Sequence, residues 1–279
     1  MPSTDEGAFS LPGHRIKGEL HRSMTSVVYL AEDVRLGRRV AVKALRPAYS
    51  RDEMFRRRFL REWRTTAGLS HPHVMPVYGV GESGGSLYAV MPYIHGGDLW
   101  ALLESNGPLT LEHAVSVVAQ TGEALDYLHA QGLVHRDVKP ENILVDTRSG
   151  RRCYLSDFGI ATGEASTRRP GTGLTGYFVG SLGYMAPEQI TAQVVDRRSD
   201  VYALGCVLYA CLTTMAPFQE HEPALGSHRR ARHPSLAALR PDLPPQIDRV
   251  VAKAMAADPR ARYSGCGELA EALRRIATP

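Results

Sequence analysis

Five short stretches of the sequence carry groups able to hold a hard cation and to neutralise anionic oxygen. The densest is His135-Arg136-Asp137-Val138-Lys139-Pro140-Glu141-Asn142. Twenty residues past Asp137 comes Asp157-Phe158-Gly159, and further on Ala186-Pro187-Glu188. Upstream, Lys43 follows Ala41-Val42, and Glu62 stands nineteen residues later. Asn142 and Asp157 add side-chain oxygens. Lys43 and Lys139 add positive charge. Each group alone is commonplace, since strand lysines and Asp-Phe-Gly turns occur in many folds. The information lies in their order and spacing.

The elements that must carry these groups are legible from periodicity. Val27-Val28-Tyr29-Leu30-Ala31 and Arg39 to Leu45 read as strands joined by the turn Arg35-Leu36-Gly37-Arg38. Ser50 and Glu53 have capping-box spacing and predict a helix from there to about Ala67. Val74 to Gly81 and Leu87 to Met91 read as a further strand pair joined by Glu82-Ser83-Gly84-Gly85-Ser86. After His95-Gly96-Gly97 the period becomes helical: Leu111, Ala114, Val115, Val118, Leu125 and Leu128 recur, with Thr110 as the N-cap. Later helices are expected at about Asp200 to Thr213, Pro245 to Met255 and Gly265 to Ile276. The pattern is α+β: a small sheet-rich lobe, a Gly-bearing connector near residue 93, and a larger helical lobe.

Composition excludes several classes. The chain has 279 residues, 43% hydrophobic and 22% charged, with 26 Gly and 18 Pro, so disorder, collagen and coiled coil are set aside. Aromatic residues make up 7%, too few for extended stacking on single-stranded nucleic acid. Cys153, Cys206, Cys211 and Cys266 show no CxxC spacing and read as reduced thiols of a cytoplasmic protein. Met1 to Ser10 carries acids and no apolar run, so no secretory signal is expected. Val201 to Gln219 is free of charge, yet its strongly apolar part is too short for a membrane span. A buried core helix is the expectation there. The net charge of +4 divides into +5 for residues 1–93 and −1 for residues 94–279. Much of the excess lies in Arg51, Arg56, Arg57, Arg58, Arg61 and Arg64, read as a solvated helix face with a docking patch as the alternative. His71/His73 and His228/His233 lack a carboxylate or Cys at metal spacing, so no zinc site is read from them.

The motifs taken together resemble the protein kinase family, in particular bacterial serine/threonine kinases of the eukaryotic type, from about Leu11 to Ile276. The resemblance implies a bilobal protein-kinase-like fold, a small antiparallel sheet lobe with one helix plus a larger helical lobe. Residues 1–10 would be a tail and 11–276 the kinase domain, with lobes 11–93 and 94–276. It implies transfer of the ATP γ-phosphate to protein hydroxyls, in which catalysis is mostly positioning plus charge neutralisation. Asp137 would orient the substrate hydroxyl and accept its proton, and Lys139 would steady the γ-phosphate. Asn142 and Asp157 would hold Mg²⁺, with Mn²⁺ as the alternative ion. Lys43 would hold the α/β-phosphates, oriented by an ion pair with Glu62. Adenine would bond the backbone of Pro92 and Ile94, with Met91 as gatekeeper. Leu20, Val28, Ala41 and Leu144 complete the implied ATP-binding set. Asp98 would bond the ribose or cap a helix. Lys139 favours Ser/Thr over Tyr as the acceptor.

The sequence departs from the family pattern in one place. With Val28 ending G-x-G-x-x-G-x-V, the three glycine positions fall on His21, Ser23 and Ser26. Glycine permits close backbone approach to phosphate and positive φ. Its loss predicts weaker ATP binding, with side chains that hold the loop off the nucleotide or replace amide contacts by hydroxyls. It also gives the alternative function some footing: a nucleotide-binding pseudokinase scaffold. A related small-molecule phosphotransferase should lack both Ala186-Pro187-Glu188 and Asp200, which are present.

Residues 160–185 are rich in Gly, Ser and Thr and resemble an activation segment. Arg136 before Asp137 marks relatives whose segment is ordered by phosphorylation. Autophosphorylation is expected at Thr175, with Thr172 next, while Ser181 is read as structural. Asp200 is expected to open its helix and cap the catalytic-loop backbone. Glu188 and Arg262 match the family's buried ion pair. His228-Arg229-Arg230-Ala231-Arg232-His233 is a second basic cluster, read as solvated surface or a docking site. The implied partners are protein substrates and a second copy paired through the small lobe, with no nucleic acid and no membrane segment.

Overall fold

The computed structural model describes residues 9–157, 182–191, 193–218 and 234–277. They divide into two units, the first holding residues up to 70 with 75–94, the second 71–74 with those from 95 on. Ile94 therefore belongs to the first unit, and His71 to Val74 to the second.

The first unit is a five-stranded antiparallel sheet of β1 (His14–Arg22), β2 (Ser26–Asp33), β3 (Arg38–Leu45), β4 (Gly79–Ser83) and β5 (Ser86–Pro92), in the order β1-β2-β3-β5-β4. Side chains alternate across a strand, so Val40, Val42 and Val90 turn to one face. There they form a core with Leu11 and Ala31, and Phe9 stacks on Tyr29 at 5.2 Å. The strand expected from Val74 begins only at Gly79. Val74 pairs instead with Leu155 of the second unit's chain segment, within that unit. Glu82 faces Leu87 and Ser83 faces Ser86, leaving a two-residue turn at Gly84 and Gly85. Both have positive φ, 57° and 76°, as such a hairpin turn requires.

Two helices follow β3: α1 (Pro47–Ser50) and α2 (Glu53–Ala67). The expected Ser50–Glu53 capping box does not form. Asp52 caps α2 instead, accepting the amides of Met54 (2.9 Å) and Phe55 (3.2 Å). Ser50 is buried, where its hydroxyl donates to the Leu45 carbonyl and accepts the Leu87 amide. Asp and Ser compete equally for an N-cap, and Ser50 fits a buried position that a carboxylate would not. Phe59, Trp63 and Thr66, at helical spacing, form the buried stripe of α2.

The second unit holds α3 (Leu99–Asn106), α4 (Leu111–Ala130), the antiparallel pair β6 (Ile143–Asp146) and β7 (Arg152–Leu155), α5 (Pro187–Ile190), α6 (Arg197–Thr213), α7 (Leu236–Leu239), α8 (Ile247–Ala254) and α9 (Cys266–Ala277). Thr110 caps α4 through the His113 amide. The charge-free stretch becomes the centre of this unit, since every residue of α6 from Ser199 to Leu212 is buried. A helix apolar all round belongs in a core. Asp196, not Asp200, caps α6, through the Arg198 amide at 2.7 Å. Among the described residues no helix is long and apolar enough to cross a membrane.

Candidate active site

Within the first unit, strand register gathers the residues assigned to the nucleotide. Lys43 on β3 lies across from Val28 on β2 and Ala89 on β5, and Ala41 lies across from Leu30 and Met91. Val28, Ala41, Lys43 and Met91 thus share the face opposite the Val40–Val42–Val90 core. Pro92 pairs with Val40, and Ile94 is buried just beyond the strand. Leu20 falls at an irregular step of the β1–β2 pairing, between Glu19 and His21, and is exposed. Glu62 lies three residues after Phe59 on α2, on the same side of the helix.

The hairpin tip between β1 and β2 is closed by the serines that replace glycines. Ser23 Oγ accepts the Ser26 amide at 3.0 Å and lies 3.1 Å from both the Ser26 carbonyl and its hydroxyl. Arg46 fastens the same tip, its guanidinium donating to the Met24 carbonyl and its amide to that of Thr25. No residue from 21 to 26 has positive φ. The hydroxyls are therefore spent within the loop, and this backbone needs no glycine.

Within the second unit, Asp137, Lys139 and Asn142 form one hydrogen-bonded group. Asn142 Nδ2 donates to the Asp137 carbonyl (2.7 Å) and to its Oδ2 (2.9 Å). Lys139 Nζ lies 3.3 Å from the same Oδ2, and the Asp137 side chain remains 36% exposed. With both amide hydrogens used, Asn142 Oδ1 is left as an oxygen ligand, which fits a hard cation. The Asn142 carbonyl accepts the amide and hydroxyl of Ser156, the residue before Asp157. Arg136 and Asp157 both have left-handed backbone, φ 68° and 53°. Such strain in non-glycine residues persists only where surroundings enforce it.

The enforcing contacts are visible. Asp200, buried in α6, accepts the amides of His135 and Arg136, each at 2.9 Å, and Gln189 Nε2 donates to the Arg136 carbonyl. His135 is fully buried. Its Nδ1 lies 3.3 Å from the Asp137 amide and its Nε2 3.1 Å from the Ser156 carbonyl. Burial pushes its pKa down, so the ring is neutral with the proton on Nε2. His129 Nε2 lies 2.8 Å from Asp200 Oδ2. Burial opposes its charge, but Asp126 and Asp200 prevail and lift the His129 pKa to about 9.

Asp98 caps α3 through the Ala101 amide at 2.8 Å, and a backbone bridge joins it to Leu144. Gly96, two residues earlier, is held at φ 138°, where a Cβ would overlap the Val145 carbonyl. Glu188 and Arg262 form a two-pronged pair at 2.6 and 2.7 Å, and Ser199 donates to the same carboxylate. Phe158, Gly159, Thr172, Thr175, Ser181 and the 228–233 basic cluster lie outside the described residues. Sequence reasoning missed the parts of His129, His135, Ser156 and Gln189. Only His135 carried a signal, as the first residue of its motif.

The sequence matches the protein kinase domain family over residues 16–274. The chain belongs to the protein kinase family. This kinase domain is 43% identical over 260 residues to serine/threonine-protein kinase PknE of Mycobacterium tuberculosis, covering 93% of this chain and 45% of that protein. It is 44% identical over 262 residues to PknD of the same organism, covering 93% and 39%. The chain thus spans less than half the length of these curated relatives. The crystal structure of the Mycobacterium tuberculosis PknI kinase domain is 32% identical, with a TM-score of 0.74 over 96% of this chain and 98% of that one. The fold is that of a protein kinase, a family that uses ATP and a divalent metal.

Proposed function

We propose that the chain transfers the γ-phosphoryl group of ATP to serine or threonine hydroxyls of proteins. The observation that carries this reading is the Asp137–Lys139–Asn142 group, which follows directly on the two residues, His135 and Arg136, whose amides Asp200 accepts. Asp137 orients the acceptor hydroxyl and takes its proton while Lys139, beside it, steadies the γ-phosphate. Asn142 and Asp157 hold Mg²⁺, with Mn²⁺ the alternative. Lys43, oriented by Glu62, engages the α/β-phosphates. Leu20, Val28, Ala41, Met91, Pro92, Ile94, Asp98 and Leu144 belong to the nucleotide site. The names of the relatives support Ser/Thr as the acceptor, and nothing in them supports a pseudokinase scaffold. A homodimer through the small lobe and a cytoplasmic setting are part of the proposal. Four buried, unpaired cysteines favour a reducing compartment.

The test is phosphate transfer from radiolabelled Mg-ATP to the chain itself and to a generic Ser/Thr protein substrate, beside Asp137→Asn. Activity in the wild type and its loss by at least about a thousandfold in the variant are expected. An inactive wild type that still binds ATP would return the scaffold reading.

A further inference from the structure

Asp126 and His129 lie one turn apart on α4, and Cys266 opens α9, which packs against α4. We propose that Asp126, His129 and Cys266 form a binding site for a divalent cation of the zinc type, distinct from the residues assigned to nucleotide and substrate. A carboxylate oxygen, the His129 imidazole and the Cys266 thiol lie within 4.8 Å of one another. Oxygen, nitrogen and sulfur together are a donor set that zinc takes.

The His129 ring is fixed in place. Its side chain is only 6% exposed, and Asp200 holds Nε2. Nδ1 is buried without a hydrogen bond, 3.6 Å from Asp126 Oδ1. A carboxylate behind the far nitrogen is the usual outer support of a metal-binding imidazole. Asp126 is fixed too, because it accepts the Cys266 and Gly267 amides at 2.9 and 2.7 Å. Each of its oxygens still has a lone pair. Two anionic ligands balance the charge of a divalent ion. A tetrahedral zinc separates its ligand atoms by about 3.5 Å, so the three side chains must close by about 1 Å. Asp126 is the exposed member of the group, its side chain 41% exposed, and solvent reaches the site on its side.

Metal binding releases the Cys266 thiol proton and the imidazolium proton to solvent, leaving thiolate and neutral imidazole as ligands. A water completes the fourth position. The cation would clamp the first turn of α9 to α4 and, through His129 and Asp200, to the amides of His135 and Arg136.

Cobalt(II) titration of the EDTA-stripped full chain tests the site. An intense near-ultraviolet thiolate-to-cobalt band with visible four-coordinate bands is expected, displaced by zinc and absent from Cys266→Ser and Asp126→Asn. Cys153, Cys206 and Cys211 are buried and lie outside the cluster, so the band reports Cys266. Zinc at a hundredfold excess over Kd should raise the wild-type Tm by about 5 °C and leave both variants unchanged. A wild type without the band, or a zinc shift equal in wild type and Cys266→Ser, overturns the proposal whatever the variants' stability. An imidazolium bridging Asp126 and Asp200 would then account for the cluster.

Discussion

Arg262→Ala should destabilise the helical unit severely, and the structure sets the scale. The Arg262 side chain is 0% exposed and the Glu188 side chain 5%. All five guanidinium hydrogens are used. Nε donates to the Ala256 carbonyl, Nη1 to Glu188 Oε1 and the Arg198 carbonyl, and Nη2 to Glu188 Oε2 and the Ala257 carbonyl. Truncation leaves a buried carboxylate without its cation and takes one donor from each of three carbonyls. Breaking a buried pair from one side costs about 3–5 kcal/mol, against a total stability of about 5–15 kcal/mol. That corresponds to a Tm lower by about 6–20 °C.

The pH dependence supplies the second readout. Burial raises the Glu188 pKa, but the Arg262 and Ser199 hydrogen bonds outweigh it and hold the carboxyl below its ordinary 4.5. A depressed folded pKa gives stability that is present above the unfolded value and is lost as pH falls through the folded value. In Arg262→Ala the burial remains and the main opposing contact is gone, so the folded pKa should rise above 4.5. The sign then reverses, and acidification from pH 7 towards 5.5 should stabilise the variant relative to wild type. Thermal unfolding by circular dichroism across that range measures both. A Tm loss under about 3 °C, or the same sign of pH dependence in both proteins, would refute the reasoning. Replacing both partners with apolar residues of similar volume should recover most of the loss.

Three further outcomes are expected. Ser23→Gly with Ser26→Gly frees the Ser26 amide from the Ser23 hydroxyl and should tighten ATP binding by about two- to tenfold; equal affinities by calorimetric titration would contradict it. Gly96→Ala should cost about 2 kcal/mol or more, because it combines a strained φ with a Cβ overlapping the Val145 carbonyl; an unchanged Tm would count against that. After incubation with Mg-ATP, mass spectrometry should find phosphate on Thr175, then on Thr172, and no phosphate between residues 160 and 185 would rule out autophosphorylation of the segment.

Much was legible in the chain because it rests on local rules. β-Rich runs bounded by turn residues marked β2, β3 and β5, helical spacing marked α4, the charge-free run marked α6, and Thr110 announced its cap. Motif order led to the family before any coordinate. Local rules failed where two residues compete for one task. Ser50 and Asp52 are both good caps, and only the buried carbonyl of Leu45 and amide of Leu87 decide which side chain goes inside. Asp200 and Asp196 are four residues apart near one helix start: Asp196 takes the cap, while Asp200, one turn inside, meets the catalytic-loop amides as expected.

The sequence alone thus determined the chemical inventory and the family: which groups can accept a proton, ligate a cation or neutralise phosphate, and in what order. Tertiary structure decided what holds them. The left-handed backbone of Arg136 and the neutral ring of His135 depend on residues 50 to 70 positions away or on burial itself. The role of Ser23 and Ser26 was also decided there, since a missing glycine is visible in sequence but a hydroxyl brace is not. A side chain's identity is fixed by its own codon, whereas its hydrogen-bond partner and solvation are set by chain segments that only folding brings near.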